Sequence, residues 1–251
     1  PEAAIHLDPA TRHELGLMIK VSDNAMAAKY SSLLGLKNIQ QTLDSYALYD
    51  ATQGGGLWMG KHYGLGTERH PDPVGGHSHA ATVRQLLRYY LLLEQDRLVS
   101  PAASAAMREI FASPDIAPIQ DKFVLGLAGR DVQVRRKAGW WEDWFLDTAA
   151  VTGGGRYYIV VAMTRHPKGD DYLVEFAAAV DDLLTQVGPK PCALTAAASS
   201  SAGPGKNPAA GSRKSGTPGW PRQPILARQT AGGPSRQPRR LAATKTQTTP
   251  P

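Results

Sequence analysis

Two short stretches of this 251-residue chain hold side chains whose types and spacing suit chemistry. Ser22-Asp23-Asn24 sets a hydroxyl, a carboxylate and a carboxamide in a row between two helix-like segments, 11–19 and 25–34. As a bare tripeptide such a string is more often a helix cap than a catalytic element, and Asp23 or Asn24 is a suitable N-cap for the second segment. The other stretch, Arg136-Lys137-Ala138-Gly139-Trp140-Trp141, sets a lysine before two small residues where a strand gives way to a loop. Backbone N–H groups can face a ligand at such a place, and a lysine positioned in a partly dry cleft holds a ligand charge by roughly a few kcal/mol. Between the two stretches lie Glu68, His62, His70, His77 and His79. Glu68, His70 and His77 are candidate bases. The histidines are loosely spaced and include no helix-borne His-x-x-x-His pair, so no metal site is expected. Cys192, the only cysteine, completes none either.

Apolar periodicity identifies the elements that must position these groups. Leu15, Met18 and Ile19, then Ala25, Ala28, Leu33 and Leu34, recur at helical spacing. From 35 to 79 the chain reads as irregular, a long connection of the kind that lines a site when it is ordered. Residues 79–98 carry Val83, Leu86, Leu87, Tyr90, Leu91 and Leu98 on one face, a clear helix, and Ser100 with Pro101 opens the next, 102–111. After Pro118 the period shortens to two. Residues 131–137, 145–151 and 156–165 read as strands of an antiparallel meander. The aromatic run 140–145 reads as a strand-connecting turn, and Asp147 is expected to be structural or to pair with Arg135 or Arg136. A terminal helix, 170–185, turns Leu173, Phe176, Ala177, Val180, Leu183 and Leu184 to one side. Helices, three antiparallel strands and a closing helix make an α+β sandwich and exclude a βαβ nucleotide fold.

Charge and composition divide the chain near residue 188. Residues 189–251 hold 11 prolines and 10 Lys or Arg with no Asp or Glu, whereas the first 188 residues hold 18 basic and 22 acidic residues, so the formal +6 belongs to the tail. With only scattered large apolar residues the tail reads as disordered, Pro/Ser/Ala-rich and basic. Apart from Arg239-Arg240 it has no dense basic cluster and no interleaved aromatics, so no specific nucleic-acid partner is expected. No run is long and apolar enough for a membrane span, and no signal peptide is evident.

Ser-Asp-Asn between helices, followed by a Lys-x-Gly strand, resembles two of the three signatures of the penicillin-recognising serine hydrolases. The likeness is to the class A beta-lactamases and their serine-hydrolase relatives, over roughly residues 1–188. The order Ser-Asp-Asn, long loop, two helices, Lys-x-Gly strand, two more strands and terminal helix agrees with it. The resemblance implies a three-layer α/β/α sandwich, hydrolysis of beta-lactam or peptidyl amides through an acyl-serine, no cofactor, an antibiotic-response setting and a periplasmic or secreted home. It implies that Ser22 passes a proton toward the leaving nitrogen, that Asn24 orients the acyl-amide group, and that Asp23 holds the turn. Lys137 then keeps the Ser22 network oriented and favours a substrate carboxylate. Gly139 permits close approach of substrate, and the Trp140 N–H belongs to the oxyanion hole. The aromatic run would wall the cleft together with Gly56-Leu57-Trp58.

Three departures accompany the likeness. None of the first 21 residues contains the Ser-x-x-Lys pair that supplies the family's nucleophile, so its N-terminal portion, with that helix and two strands, is expected to be missing and the chain to be inactive as a fragment. Ala138 stands where the family has Thr or Ser, and loss of such a hydroxyl costs about 0.5–3 kcal/mol in binding. The loop lacks the family's Glu-x-x-x-Asn, leaving Glu68 as the acidic candidate for activating water. The alternative is a non-catalytic domain that binds cell-wall peptide, or a structural module built on the same fold.

Overall fold

Helix α1 (Pro9–Lys20) starts where the Asp8 carboxylate accepts the Thr11 N–H at 2.8 Å, with Pro9 in the first turn, where its missing N–H costs nothing. The computed structural model describes residues 6–64 and 68–188. The chain divides into two units, Pro1–Thr195 and Ala196–Pro251. The second unit and the whole 189–251 tail, read above as disordered, lie outside the described residues, as does Cys192.

Helix α2 (Asn24–Leu34) is tied to α1 through Glu14, which accepts from Lys29 Nζ and the Tyr30 hydroxyl, each at 2.5 Å. The span 35–79 is more ordered than its sequence suggests. Leu36, Ile39 and Leu43 form the apolar stripe of α3 (Leu36–Ser45), and Gly35, at φ 78°, is the joint between α2 and α3. Four strands of two residues each follow: β1 (Tyr49–Asp50) pairs with β2 (Gly55–Gly56), and β3 (Trp58–Met59) with β4 (His79–Ala80). Buried Asp72 organises this loop by accepting from the Tyr49 hydroxyl at 2.5 Å and the Gly75 N–H at 2.6 Å. Burial pushes its carboxyl up, but those donors outweigh burial and hold it below its ordinary value.

Helix α4 (Val83–Glu94) is shorter at both ends than its apolar pattern: residues 79–80 belong to β4, and the Thr82 hydroxyl caps the helix by accepting the Gln85 N–H. Helix α5 (Pro101–Ala112) begins as expected, with Ser100 accepting the Ala103 N–H at 3.1 Å. Arg12 to Glu109 at 2.9 Å and Lys20 Nζ to the Ala112 carbonyl at 2.8 Å fasten α1 along α5. A one-turn helix, α6 (Lys122–Gly126), precedes the sheet and escapes any periodicity argument.

The sheet has strand order β5-β6-β7, built from β5 (Gln133–Trp141), β6 (Trp144–Gly153) and β7 (Arg156–Arg165), all antiparallel. Helix α7 (Gly169–Val187) closes the domain. Strand β5 runs four residues past the expected end at 137, so Lys137-Ala138-Gly139 lies within it. The turn is confined to Glu142, at φ 54°, and Asp143. Strand alternation then sorts side chains onto two faces. Ala149, Val151 and Val160 meet Phe123 of α6, Leu127 just after it, and Leu173 and Ala177 of α7, while Ala150 meets Tyr90, Leu93, Leu98 and Phe111 on the α4–α5 side. The result is the α+β, three-layer arrangement expected from the sequence.

Candidate active site

The turn between α1 and α2 is strained at Ser22. Its φ of 56° lies in the left-handed region, where a non-glycine residue costs about 1–3 kcal/mol. The neighbours hold it there: the Asp23 N–H reaches the Leu17 carbonyl at 3.3 Å, and the Asp23 carboxylate accepts the N–H groups of Ala25 and Met26 at 2.8 and 3.0 Å. Asp23 is therefore the N-cap of α2, and Asn24 is its first residue, with an exposed side chain. The half-buried Ser22 hydroxyl lies 2.5 Å from Nζ of Lys137.

Lys137 and Arg136 are consecutive on β5 and send their cations to opposite faces of the sheet. Arg136 turns toward α6, where Nε meets Asp147 at 3.0 Å and its terminal nitrogens meet Asp121 at 2.7 Å and the Ile119 carbonyl at 3.0 Å. Asp147 is fully buried; burial pushes its carboxyl up, while Arg136 and the N–H groups of Phe123 and Thr148 pull against that. Lys137 turns toward the α1–α2 side. Its register partner Thr148 donates to the Lys137 carbonyl at 2.8 Å and receives the Tyr90 hydroxyl at 3.0 Å, pinning the strand from the α4 layer. Besides Ser22, Nζ contacts the Ala138 carbonyl at 2.6 Å. Burial, helped by Arg136 and Lys122 and opposed by Asp147 and Asp121, brings the Lys137 ammonium down to about 8.

Among the described residues β5 is an edge strand, and its open edge supplies backbone groups beside this pair. Trp141 and Trp144 close the two-residue turn, and the alternation of an antiparallel ladder from that pair leaves the N–H and C=O of Ala138 and Trp140 directed away from β6. The Lys137 Nζ contact with the Ala138 carbonyl agrees with that direction. The Ala138 methyl shares a face with Asp147, its register partner, so Ala138 offers the Ser22 side only backbone. At Gly139 an added Cβ would meet Leu146 at 3.4 Å, an ordinary contact, so packing alone does not demand glycine there. The Trp140 ring is 60% exposed, with the buried Lys122 ammonium 5.6 Å from its centre.

Glu68 is not drawn into this constellation. Its carboxylate is 84% exposed and lies 3.8 Å from His70, and among the described residues it makes no hydrogen bond or ion pair with Ser22, Asn24 or Lys137. Trp58 sits within the loop, donating to the His70 carbonyl at 2.9 Å and tilted against Tyr49. His62 contacts the Ser31 hydroxyl at 2.8 Å, and His79 contacts the Lys61 carbonyl at 3.0 Å. Among the described residues no group of three or more His, Cys, Asp or Glu could hold a metal ion, and no helix is long and apolar enough to cross a membrane. Thr148 and Tyr90 brace the site without having been singled out in the sequence. Strand alternation held the signal for Thr148, because Lys137 fixes the face and Thr148 is the residue opposite it.

The chain resembles solved structures at low identity. PBP-A matches with 18% identity and a TM-score of 0.52, covering 70% of this chain and 62% of that one. A substituted PBP-A, solved as an acyl-enzyme complex with penicillin G, matches with 18% identity and a TM-score of 0.51 over 70% and 62% of the two chains. The beta-lactamase from Sphaerobacter thermophilus DSM 20745 matches with 15% identity and a TM-score of 0.53 over 71% and 64%. The chain thus spans less than two thirds of these relatives, and the likeness is one of fold. No curated protein matches it. The family model described as the beta-lactamase enzyme family matches residues 6–187, well over half of the sequence, and the chain belongs to that family.

Proposed function

We propose that this chain carries the proton-relay and substrate-orienting side of an acyl-serine hydrolase acting on beta-lactam or peptidyl amides. The observation that carries this reading is the 2.5 Å contact between Ser22 and Lys137, residues 115 positions apart that no packing argument requires to meet. In this reading Ser22 relays a proton to the leaving nitrogen, and Lys137 orients Ser22 and attracts a substrate carboxylate. Asn24 presents its exposed carboxamide to the acyl-amide group. The open-edge N–H of Trp140 suits a developing oxyanion, which preorganised donors stabilise at little reorganisation cost. Asp23 fixes the turn. Glu68 stays outside the reading, since a water-activating base must lie within hydrogen-bond reach of the reacting groups. In this reading residues 1–188 belong to the hydrolase-like domain and 189–251 to a basic tail, with a periplasmic or secreted setting by kinship.

For this chain alone the reading expects substrate binding without steady turnover. Glu68, 84% exposed and apart from Ser22 and Lys137, favours a second reading within the same site, a domain that holds cell-wall peptide ending in D-Ala without turnover. Calorimetry of the full chain with a D-Ala-ended peptide and with a penicillin tests both. Binding weakened about tenfold or more by Asn24→Ala and by Gly139→Ala is expected, the latter because its methyl occupies the substrate's path without disturbing the fold. Steady hydrolysis of a chromogenic beta-lactam would overturn the expectation of binding alone, and equal affinity in wild type and both variants would overturn the site.

A further inference from the structure

We propose that the hairpin end of the sheet is a sugar-stacking platform, and that the peptide recognised at Ser22 and Lys137 arrives attached to a β-linked pyranose chain held there. For its peptide half alone this rests on the reading of that pair as a substrate site. Antiparallel register sets Trp141 opposite Trp144 and Trp144 opposite Arg165, so the three side chains form one row across β5, β6 and β7. Residues paired in register share a face, and alternation along β5 puts the row on the face of Lys137 and Gly139. Trp141 is 72% exposed and Trp144 49%, and among the described residues neither ring joins the core on either side of the sheet. Two such rings side by side mark a binding surface. Trp140 and Phe145 belong to the opposite face, around the Lys122 ammonium.

The row is held in place before any ligand arrives. The Arg165 guanidinium lies 5.1 Å from the centre of the Trp144 ring, and its Nε meets the Asp143 carboxylate at 3.2 Å. A ring fixed in advance loses little rotamer freedom on binding. Leu146 and Met163, half-buried in the next row inward, floor the platform. Charge then selects the ligand. One cation, Arg165, stands against the carboxylates of Asp143 and Glu142, so nothing here favours an anionic lipid surface or a nucleic acid. A pyranose is uncharged: it offers a face of C–H groups to an indole and hydroxyls at its rim to carboxylates and a guanidinium. Adjacent strands lie about 4.8 Å apart, close to the length of one unit of an extended β-linked pyranose chain, so successive sugars meet successive side chains of the row. Along β5, Trp141 lies about 14 Å from Lys137 at the rise of a strand, and an extended peptide of about four residues spans that distance. Gly139 leaves the way between them without a side chain. A D-Ala carboxylate at Lys137 thus places the other end of a short peptide, and the sugar it hangs from, at Trp141.

The test titrates the full chain, by tryptophan fluorescence and calorimetry, with three probes: a tetrapeptide ending in D-Ala, an N-acetylglucosamine tetramer, and the same tetrapeptide carried on an N-acetylglucosamine–N-acetylmuramic acid disaccharide. The conjugate is expected to bind about tenfold or more tighter than the tetrapeptide, because the second contact becomes intramolecular. The sugar tetramer is expected to bind and to change the tryptophan emission. Replacing both rings, Trp141→Ala with Trp144→Ala, should abolish sugar binding and bring the conjugate down to the affinity of the tetrapeptide, which itself stays unchanged. Should that double variant lose its fold, Trp141→Ala alone, at the more exposed ring, should remove most of the gain. A conjugate no tighter than the tetrapeptide, or a gain indifferent to the two rings, would overturn the proposal. So would rings that hold phosphatidylglycerol vesicles or a second copy of the chain in place of sugar, read by vesicle sedimentation and by sedimentation velocity. If the tetrapeptide alone fails to bind while the sugar binds through the rings, the reading of Ser22 and Lys137 falls and the platform stands; if the tetrapeptide binds and the sugar does not, the platform alone falls.

Discussion

Lys137 links the site to the stability of the whole domain. Burial brings its ammonium to about 8 in the folded chain, against an ordinary 10.5. Between those values the unfolded chain holds the proton and the folded chain does not, so stability rises with pH across that window. Below about 8 both states are protonated, and the folded state bears the full cost of a half-buried cation. Urea midpoints measured from pH 8 to 10.5 should climb for wild type more steeply than for Lys137→Met, which has nothing to titrate there. Parallel curves would mean that Lys137 is ordinarily solvated. Arg136 is the contrasting neighbour, bonded to Asp147 and Asp121 on the other face.

The elements divide into those announced by the sequence and those made by tertiary contact. Helices α1, α2, α5 and α7 and strands β6 and β7 carry apolar periods, with side-chain N-caps at α1, α2 and α5, and these were legible. Helix α3 carries a period too, but Gly35 before it looks like a loop when it is a joint at φ 78°. Strands β1 to β4, at two residues each, are too short for any period to show. Strand β5 outran its expected end because Ala138 and Gly139 weaken the pattern, while pairing with β6 carries the ladder on to Trp141. Of the site, the Ser22 turn and Lys137 were legible as motifs, whereas Thr148, Tyr90 and the exclusion of Glu68 depend on which face and which loop end up adjacent. Helix α6 is held by proximity. A Cβ on Gly126 would stand 2.3 Å from the Val174 carbonyl oxygen, a backbone atom of α7 that cannot step aside. Gly126→Ala should therefore lower stability by about 1–3 kcal/mol, seen as a lower thermal midpoint, whereas Gly139→Ala should leave it nearly unchanged. An unchanged midpoint for Gly126→Ala would show that α6 can shift away from α7.

Across the whole molecule, charge is distributed against the net value. The first 188 residues are acidic overall and the remaining 63 are purely basic in their charged residues. A chain ending at Gly188 should melt at the same temperature as the full chain yet change from cation-exchange to anion-exchange binding at neutral pH. A fall of several degrees would place part of the domain's stability in 189–251. The pairing of Ser22 with Lys137 has one more consequence. The two residues stand 115 positions apart, one on a turn between the first helices and the other on a strand formed by a late hairpin. Contacts of such long sequence separation form slowly, after local helices and turns. A reagent that reads this pair would thus report the last docking event of refolding rather than the first collapse, a chemical clock for the moment at which the two halves of the domain become one.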